Sequence, residues 1–327
     1  MKVRVRHVAI GALVYNAGLF LATLGSSWQA QVRHPMEGSL IDVDGGRVHV
    51  IEAGADDSDA SDHAIHDAVV LIHGSSTSAL DFGHNLLPAL SEGRRVLAVD
   101  RPGHGYSERG TRPRMDKPSR QAETILDAMA EMDVENPVLV GHSWAGAVVL
   151  AALLSEHEKV RPVAGVLIAG VTHPYAREDS AATRLALAPY RGPVFRWQYL
   201  AWIGRLAMPS TVEEFFAPDD VPDDYIERTG LTLSLRPKVY LYNSRDRSAL
   251  VRNIVEQSGR YERIEVPLLS IAATEDHVVP PSAHHDRLVE AVPGAEAVLI
   301  EGAGHLPHHT RTAEVVDAIE KFLGDLN

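Results

Sequence analysis

The chain of 327 residues contains no cysteine, which excludes disulfide bonds, thiolate nucleophiles and cysteine-based metal sites. It also lacks a basic patch or a nucleic-acid-binding motif, and its formal net charge is -13, so we expect no nucleic-acid partner. This acidic excess favours solubility and does not select a substrate. No internal repeat or low-complexity tract is evident, and the length suits one large domain with an inserted lid.

The N-terminus begins with a basic segment, residues 1–7, followed by an apolar stretch from Val8 to Leu24 and then by Trp28. The stretch is about long enough to span a thin bilayer, and tryptophan suits a membrane interface. Basic residues on its N-terminal side predict an inside N-terminus, with the rest of the protein on the non-cytoplasmic side. We therefore predict an apolar helix that anchors the chain in a membrane over 1–28, and a linker over 29–37.

A cleaved signal peptide, with secretion or release into the periplasm, is the alternative interpretation of this segment. The small-x-small pattern that cleavage requires is poorly formed, because Trp28-Gln29-Ala30 places a bulky residue first. The sequence therefore favours an uncleaved anchor. A buried or amphipathic helix of a soluble protein is disfavoured, because the apolar run has no polar face.

From residue 38 onwards, segments typical of strands and of helices alternate. Asp44-Gly45-Gly46 predicts the turn of a hairpin, and residues 55–67 predict a solvated loop. The alternation predicts an α/β fold with a mostly parallel sheet flanked by helices, and a functional site at the carboxyl ends of the strands. Buried strands are predicted near 69–73, 95–99, 137–141, 163–169, 267–273 and 296–300.

The alternation breaks over residues 176–262, which are helical in pattern, rich in aromatic residues and interrupted by prolines. We interpret this stretch as a helical cap inserted into a core that comprises 38–175 and 263–327. Its aromatic residues either line an acyl- or aryl-binding pocket or only pack the cap against the core, and packing is favoured for any one of them. They are Phe195, Trp197, Tyr199, Trp202, Phe215 and Phe216.

Ser143 stands at the apex of a predicted strand, turn and helix over residues 138–154. Such a tight turn requires small residues around the serine, and Gly141, Ala145 and Gly146 provide them. A serine hydroxyl is a poor nucleophile by itself. The pattern therefore predicts a nucleophile at Ser143, provided that the chain also supplies a base, an acid and donors to an oxyanion.

An acid and a histidine follow two predicted strands further along the chain. Asp276 comes just after the first of these strands, and His305 lies in a glycine-containing loop after the second. The order serine, aspartate, histidine is the order of α/β-hydrolases. We predict that His305 exchanges a proton with Ser143 and that Asp276 orients the imidazole and stabilises its charged form.

Neighbouring residues of the same types are weaker candidates. Glu275 adjoins the predicted acid, and His308 and His309 belong to the last helical segment, where they are less well aimed. His142 is predicted to pack beneath the turn. The pairs His284-His285 and His308-His309 have no cysteine or carboxylate companion at ligand-like spacing, so we expect no metal site.

Two backbone N–H groups are predicted to hold the oxyanion. One belongs to Trp144, the residue directly after the serine. The other is expected in the loop after an earlier strand, where His73-Gly74 precedes two serines. We choose the N–H of Ser75, with that of Ser76 as the alternative.

Together these motifs resemble those of cap-bearing α/β-hydrolases, a group that includes esterases, proline-iminopeptidase-like peptidases, carbon–carbon bond hydrolases and cofactor-free haloperoxidases. The serine nucleophile differs from the carboxylate with which haloalkane dehalogenases and epoxide hydrolases of this fold form an alkyl ester, so those activities are disfavoured. The matching segments extend from about residue 38 to the C-terminus: His73-Gly74, Asp100–Ser107, Gly141–Gly146, Asp276 with Val279-Pro280, and Gly304-His305.

The resemblance implies a serine hydrolase that cleaves an ester, a thioester or an amide of a small apolar acyl group through an acyl-enzyme. A carboxylic ester hydrolase is the favoured activity, and no cofactor is expected. A cofactor-free haloperoxidase or perhydrolase with the same three residues is the second hypothesis. A non-catalytic ligand-binding protein on the same fold is the third.

Overall fold

The computed structural model describes residues 2–54, 66–175 and 178–326. Most of the loop predicted over 55–67, and the first two residues of the predicted cap, 176 and 177, therefore lie outside the described part. The same holds for some side chains of the N-terminal helix, those of residues 2–6, 8, 9 and 12.

The described residues contain one sheet of eight strands, in the order β1-β2-β4-β3-β5-β6-β7-β8. The second strand is antiparallel to both of its neighbours, and the other neighbouring strands are parallel. The carboxyl ends of the parallel strands therefore meet along one edge. The strands are β1 (Ser39–Val43), β2 (Gly46–Ala53), β3 (Val69–Ile72), β4 (Val96–Val99), β5 (Val138–His142), β6 (Ala164–Ile168), β7 (Leu268–Ala273) and β8 (Glu296–Ile300).

Helices cover both faces of this sheet, so the central strands are buried on both sides and consist almost entirely of apolar residues. In β3, Val70 and Ile72 pack towards one layer of helices, whereas Val69 and Leu71 pack towards the other. The helices of the core are α2 (Leu86–Leu90), α3 (Pro118–Glu131), α4 (Ala145–Leu153), α10 (His285–Ala291), α11 (Pro307–Thr310) and α12 (Thr312–Asp325).

The chain between β6 and β7 is helical and has an apolar cluster of its own. Phe195, Met208 and Phe216 are buried in this cluster, and Leu306, which follows β8, joins it. The cluster therefore lies at the edge where the parallel strands end. The helices are α5 (Ala181–Leu187), α6 (Arg191–Val194), α7 (Leu200–Phe216), α8 (Tyr225–Arg228) and α9 (Pro237–Ser258), with a turn of π-helix over Phe195–Tyr199.

An N-terminal helix, α1 (Lys2–Arg33), packs its second half against these cap helices. The ring of Phe20 lies 5.3 Å from that of Trp197, and Thr23 and Ala30 are buried. Residues 29–33, predicted as the start of a linker, are therefore the last turns of α1. The local sequence does not reveal this, because the burial of Ala30 depends on the cap.

In the described part of the chain, no helix combines the length and the hydropathy that a bilayer crossing requires. The predicted membrane-spanning segment is therefore not supported. Part of its sequence packs on protein instead, as the completely buried side chain of Thr23 shows.

Buried histidines are concentrated near the carboxyl edge of the sheet. Burial lowers the pKa of His73 and of His308 to about 4, and it lowers the pKa of His142 well below its ordinary range. These imidazoles are therefore neutral in the folded protein at neutral pH. His49 behaves differently. Burial is the largest single effect and opposes its charged form, but the hydrogen bond to Asp100, the charge of Asp100 and the carbonyl of Glu37 together raise the pKa.

These lowered pKa values predict that the folded protein is sensitive to acid. The unfolded chain binds protons at these histidines below about pH 6.5, whereas folded His73 and His308 stay neutral down to a pKa of about 4. The free energy of unfolding should therefore fall as the pH is lowered from about 6.5 towards 4, by up to about 3 kcal/mol for each such group. Urea unfolding of the full chain at neutral pH and at about pH 5 measures the change; equal stability at both would contradict it.

Candidate active site

Ser143 lies at the tight turn between β5 and α4, as the sequence predicts, and its φ of 54° is in the left-handed region that is strained for a residue with a Cβ. The turn has no room for larger neighbours. A Cβ on Gly141 would lie 2.8 Å from the carbonyl oxygen of Ala145, and one on Gly146 would lie 2.8 Å from the Cα of Gly170. The carbonyl oxygen of Ser143 accepts hydrogen bonds from the N–H groups of Gly146 and Val171, so neighbouring backbone fixes the turn.

A chain of hydrogen bonds connects Ser143 to the predicted base and acid. His305 Nε2 lies 2.9 Å from Ser143 Oγ, and His305 Nδ1 lies 2.7 Å from Asp276 Oδ2. The other carboxylate oxygen of Asp276 accepts the N–H groups of Val278 and Val279, each at 2.8 Å. All three side chains are buried, and both carboxylate oxygens of Asp276 have hydrogen-bond partners. The arrangement can move a proton from the hydroxyl to the imidazole.

The weaker candidates lie elsewhere. Glu275 is exposed, and its side chain does not join this hydrogen-bond chain. His308 and His309 direct their Nε2 atoms to Asp81, at 3.4 and 3.0 Å. The structure therefore brings together Ser143, Asp276 and His305, and the weaker candidates take no part in this series of hydrogen bonds.

The loop after β3 lies beside Ser143, because a Cβ on Gly74 would lie 3.0 Å from the Cβ of Ser143. Both Ser75 and Trp144 line the same cavity as the serine. Among the described residues, neither of their backbone N–H groups donates to a protein acceptor. The N–H of Ser76, the alternative donor, is already bound to Asn243 Oδ1 at 3.1 Å. The geometry thus leaves Ser75 and Trp144 available to an oxyanion.

His142 packs behind the turn, as the sequence predicts. Its Nε2 lies 3.1 Å from the carbonyl oxygen of His305, and its ring centroid lies 4.4 Å from that of His308. Burial lowers its pKa well below the ordinary range, and the nearby His308 and His305 act in the same direction. His142 is therefore a neutral ring that supports the backbone of His305.

His308 and His309 do have a carboxylate companion, which sequence spacing did not reveal. Their ligand atoms and those of Asp81 all lie within 4.8 Å of one another. Two imidazoles and a carboxylate are suited to binding a transition metal. Each imidazole also shares a hydrogen bond with Asp81, and Asn85 Nδ2 lies 3.2 Å from His309 Nδ1. Among the described residues, the buried Nδ1 of His308 has no hydrogen-bond partner. The sequence does not indicate this cluster, because Asp81 is 227 residues from His308.

The other histidine pair, His284-His285, diverges in the structure. His284 Nδ1 accepts N–H groups from Thr172 and His173, whereas His285 Nδ1 lies 2.8 Å from Ser270 Oγ. Burial lowers the pKa of His284 to about 4, and the nearby His173 acts in the same direction. The neutral side chain of His284 lines the cavity at Ser143 and holds the loop after β6.

A cavity of about 490 Å³ opens at Ser143 beneath the cap helices. Of the aromatic residues that the sequence singled out, Phe195 and Phe215 line it, whereas the exposed Trp202 does not. The lining also includes aliphatic side chains from α7 and from the segment before α9, among them Leu200, Met208, Val212, Leu231 and Leu235. The cavity can therefore take an apolar group attached to a carbonyl at Ser143.

The chain is similar to proteins of several named activities. Epoxide hydrolase A of Mycobacterium tuberculosis is 28% identical over 331 residues, which cover 88% of this chain and 97% of that protein. A non-heme chloroperoxidase of Streptomyces lividans is 27% identical over 252 residues, covering 73% of this chain and 84% of its own.

Among solved structures, the esterase RhEst1 from Rhodococcus sp. superimposes with a TM-score of 0.65 at 23% identity, covering 88% of this chain and 98% of the esterase. At this identity the likeness concerns the fold alone. Residues 69–318 match the alpha/beta hydrolase family, and they include the turn at Ser143 and the loops of Asp276 and His305. This chain belongs to the alpha/beta hydrolase family and is a hydrolase.

Proposed function

We propose that the protein is a serine hydrolase that cleaves an ester of a small apolar acyl group through an acyl-enzyme on Ser143. The observation that carries this proposal is the hydrogen-bond chain from Ser143 through His305 to Asp276, which opens into a largely apolar cavity. A thioester or an amide is compatible with the same groups. The chemistry needs no cofactor, because the three side chains supply nucleophile, base and orienting acid.

In the proposed reaction, Ser143 Oγ attacks the substrate carbonyl while His305 Nε2 takes its proton. The oxyanion accepts hydrogen bonds from the N–H groups of Ser75 and Trp144. The protonated imidazole, stabilised by Asp276, then gives its proton to the leaving alcohol as the carbon–oxygen bond breaks. A water molecule then attacks the acyl carbonyl while the same histidine takes its proton. The bond from the carbonyl carbon to Ser143 Oγ breaks, the imidazolium returns the proton to Oγ, and the acyl group leaves as a carboxylic acid.

A cofactor-free haloperoxidase or perhydrolase is the second candidate, favoured by the similarity to the chloroperoxidase of Streptomyces lividans. In it, hydrogen peroxide replaces water as the acceptor of the acyl group, so a peracid forms instead of an acid. An assay for peracetic acid from acetate and peroxide separates the two. The name of the epoxide hydrolase relative does not lead to a third candidate, because the nucleophile position here is a serine and not a carboxylate.

Replacing Asp276 with Asn should lower kcat for a p-nitrophenyl ester by about 10⁴-fold, because the amide stabilises the wrong imidazole tautomer. Ser143→Ala should lower kcat by at least the same factor, since no nucleophile remains. Initial rates on p-nitrophenyl butyrate measure both effects, and the mutation Glu275→Gln of the exposed neighbour is the matched control.

If Ser143→Ala retains most of the activity, the proposed nucleophile is wrong. If Asp276→Asn has a mild effect while Glu275→Gln has a severe one, the neighbouring glutamate is the acid. Circular dichroism of each variant shows whether the fold is intact, so that a loss of activity is assigned to chemistry.

We also propose that α1 associates with a membrane surface. The hydrolase core is proposed to lie on the non-cytoplasmic side of that membrane. Exposed apolar side chains on α1 support the membrane association, with Leu13, Leu21 and Trp28 between 64% and 71% exposed. Charge supports it too: the first 36 residues contain no acidic side chain, in a protein whose net charge is -13. An anionic lipid surface would attract such a segment.

The full chain should therefore float with vesicles of phosphatidylcholine and phosphatidylglycerol in a density gradient. The double variant Leu13→Ser and Leu21→Ser should float much less, because it loses exposed apolar surface at the lipid contact. Leu299→Ser, on a half-exposed residue of β8, is the matched control and should float like the wild type. A wild-type protein that stays at the bottom of the gradient would overturn the proposal.

A further inference from the structure

The completely buried side chain of Arg101 contacts the loop that carries the proposed oxyanion donor Ser75. Its Nε donates to the carbonyl oxygen of His73 at 3.0 Å, and its Nη2 donates to that of Gly74 at 2.9 Å. In a trans peptide the C=O and N–H bonds point in opposite directions. By holding the oxygen of Gly74, the guanidinium therefore turns the N–H of Ser75 away from itself.

The same guanidinium also contacts the second proposed donor residue. Its Cζ atom lies 4.3 Å from the ring centroid of Trp144, a distance typical of a cation–π contact. Trp144 is buried, and its backbone N–H follows Ser143 directly. One side chain thus binds the peptide group that contains the N–H of Ser75 and also contacts the ring of Trp144.

The cap helix α9 fixes this arrangement from the other side. Asp246 on α9 is completely buried and accepts hydrogen bonds from Arg101 Nη1 at 3.4 Å and from Gln121 Nε2 at 2.9 Å. Arg109 donates to both carboxylate oxygens of Asp246. Burial lowers the pKa of Arg101 to about 10, with Asp246 opposing the shift, so the guanidinium stays charged at neutral pH.

A second residue of α9 holds the same loop one position further on. Asn243 Oδ1 accepts the N–H of Ser76 at 3.1 Å, and its Nδ2 donates to Ser76 Oγ at 2.9 Å. Ser76 has a φ of 65°, a conformation that costs energy for a residue with a Cβ. These two hydrogen bonds stabilise that conformation, and they come from the cap and not from the core.

We propose that Arg101 is a positioning residue for the oxyanion hole. Through Asp246 and Asn243, the geometry of this oxyanion hole depends on the packing of cap helix α9 against the core. The proposal rests on the proposed serine hydrolase activity. Arg101 does not touch the substrate. It acts on the reaction by positioning the backbone N–H groups of Ser75 and Trp144. A contact of α9 with the core thereby determines how well the transition state is held, and not only how the cap packs.

Arg101→Lys tests this role, because lysine keeps the charge but has a single nitrogen where the guanidinium bridges two carbonyl oxygens. Misplaced donors weaken transition-state binding more than substrate binding. We expect kcat for p-nitrophenyl butyrate to fall by about 10²-fold with little change in KM. Asn243→Ala should cause a smaller loss of the same kind.

The decisive measurement uses butyl trifluoromethyl ketone, whose carbonyl carbon accepts Ser143 Oγ while the proton passes to His305, leaving an oxyanion in the site. Its inhibition constant should rise in Arg101→Lys by the same factor as kcat/KM falls. Arg94→Lys is the matched control, because Arg94 is also a bidentate arginine, paired with Glu320 through both carboxylate oxygens. It should change neither quantity.

A purely structural role for Arg101 predicts a different result. The melting temperature and the fraction of molecules with a functional active site would fall. The kcat per functional active site and the inhibition constant of the ketone would stay at wild-type values. That outcome would overturn the proposal while leaving the serine hydrolase activity intact. If Ser143→Ala remains active, the proposed function itself fails, so the two failures are distinguishable.

Discussion

The geometry of the site depends on the tight turn at Ser143, where the chain passes from β5 to α4 with no spare volume. Gly141 and Gly146 are required because a Cβ at either position would collide with backbone, and the carbonyl oxygen of Ser143 is held by two N–H groups. The serine hydroxyl is therefore fixed by the backbone itself. Asp276 and His305 need only follow the neighbouring strands β7 and β8 to meet it, since parallel strands end at the same edge.

Behind this turn the protein buries charged and polar groups that a hydrophobic core would exclude. Arg101 is completely buried with Asp246, and Asp81 is completely buried between His308 and His309. Burying charge is costly unless each group is paired and hydrogen-bonded, and here each carboxylate has at least two side-chain donors. The arrangement makes the fold sensitive to acid.

The site residues that follow a local pattern could be predicted from the sequence, whereas partners distant along the chain could not. The small residues around Ser143 indicated the nucleophile, and the loops after two predicted strands, in the chain order of α/β-hydrolases, indicated Asp276 and His305. Asp246 lies 145 residues from Arg101, and nothing in either local sequence connects them. The apolar N-terminal stretch shows the same limit, because its hydropathy does not reveal that Thr23 is buried or that α1 packs against the cap helices. The parallel sheet was predictable, since its buried strands carry a strong apolar signal.

The central claim is that Ser143 is a nucleophile activated by His305, and covalent labelling tests it most directly. The full-length protein would be treated with a fluorophosphonate, digested and analysed by mass spectrometry, with Ser143→Ala treated in parallel. The account predicts one phosphonylated site, at Ser143, and no adduct on the variant. A folded wild-type protein that forms no adduct, or an adduct on another serine that persists in the variant, would contradict it.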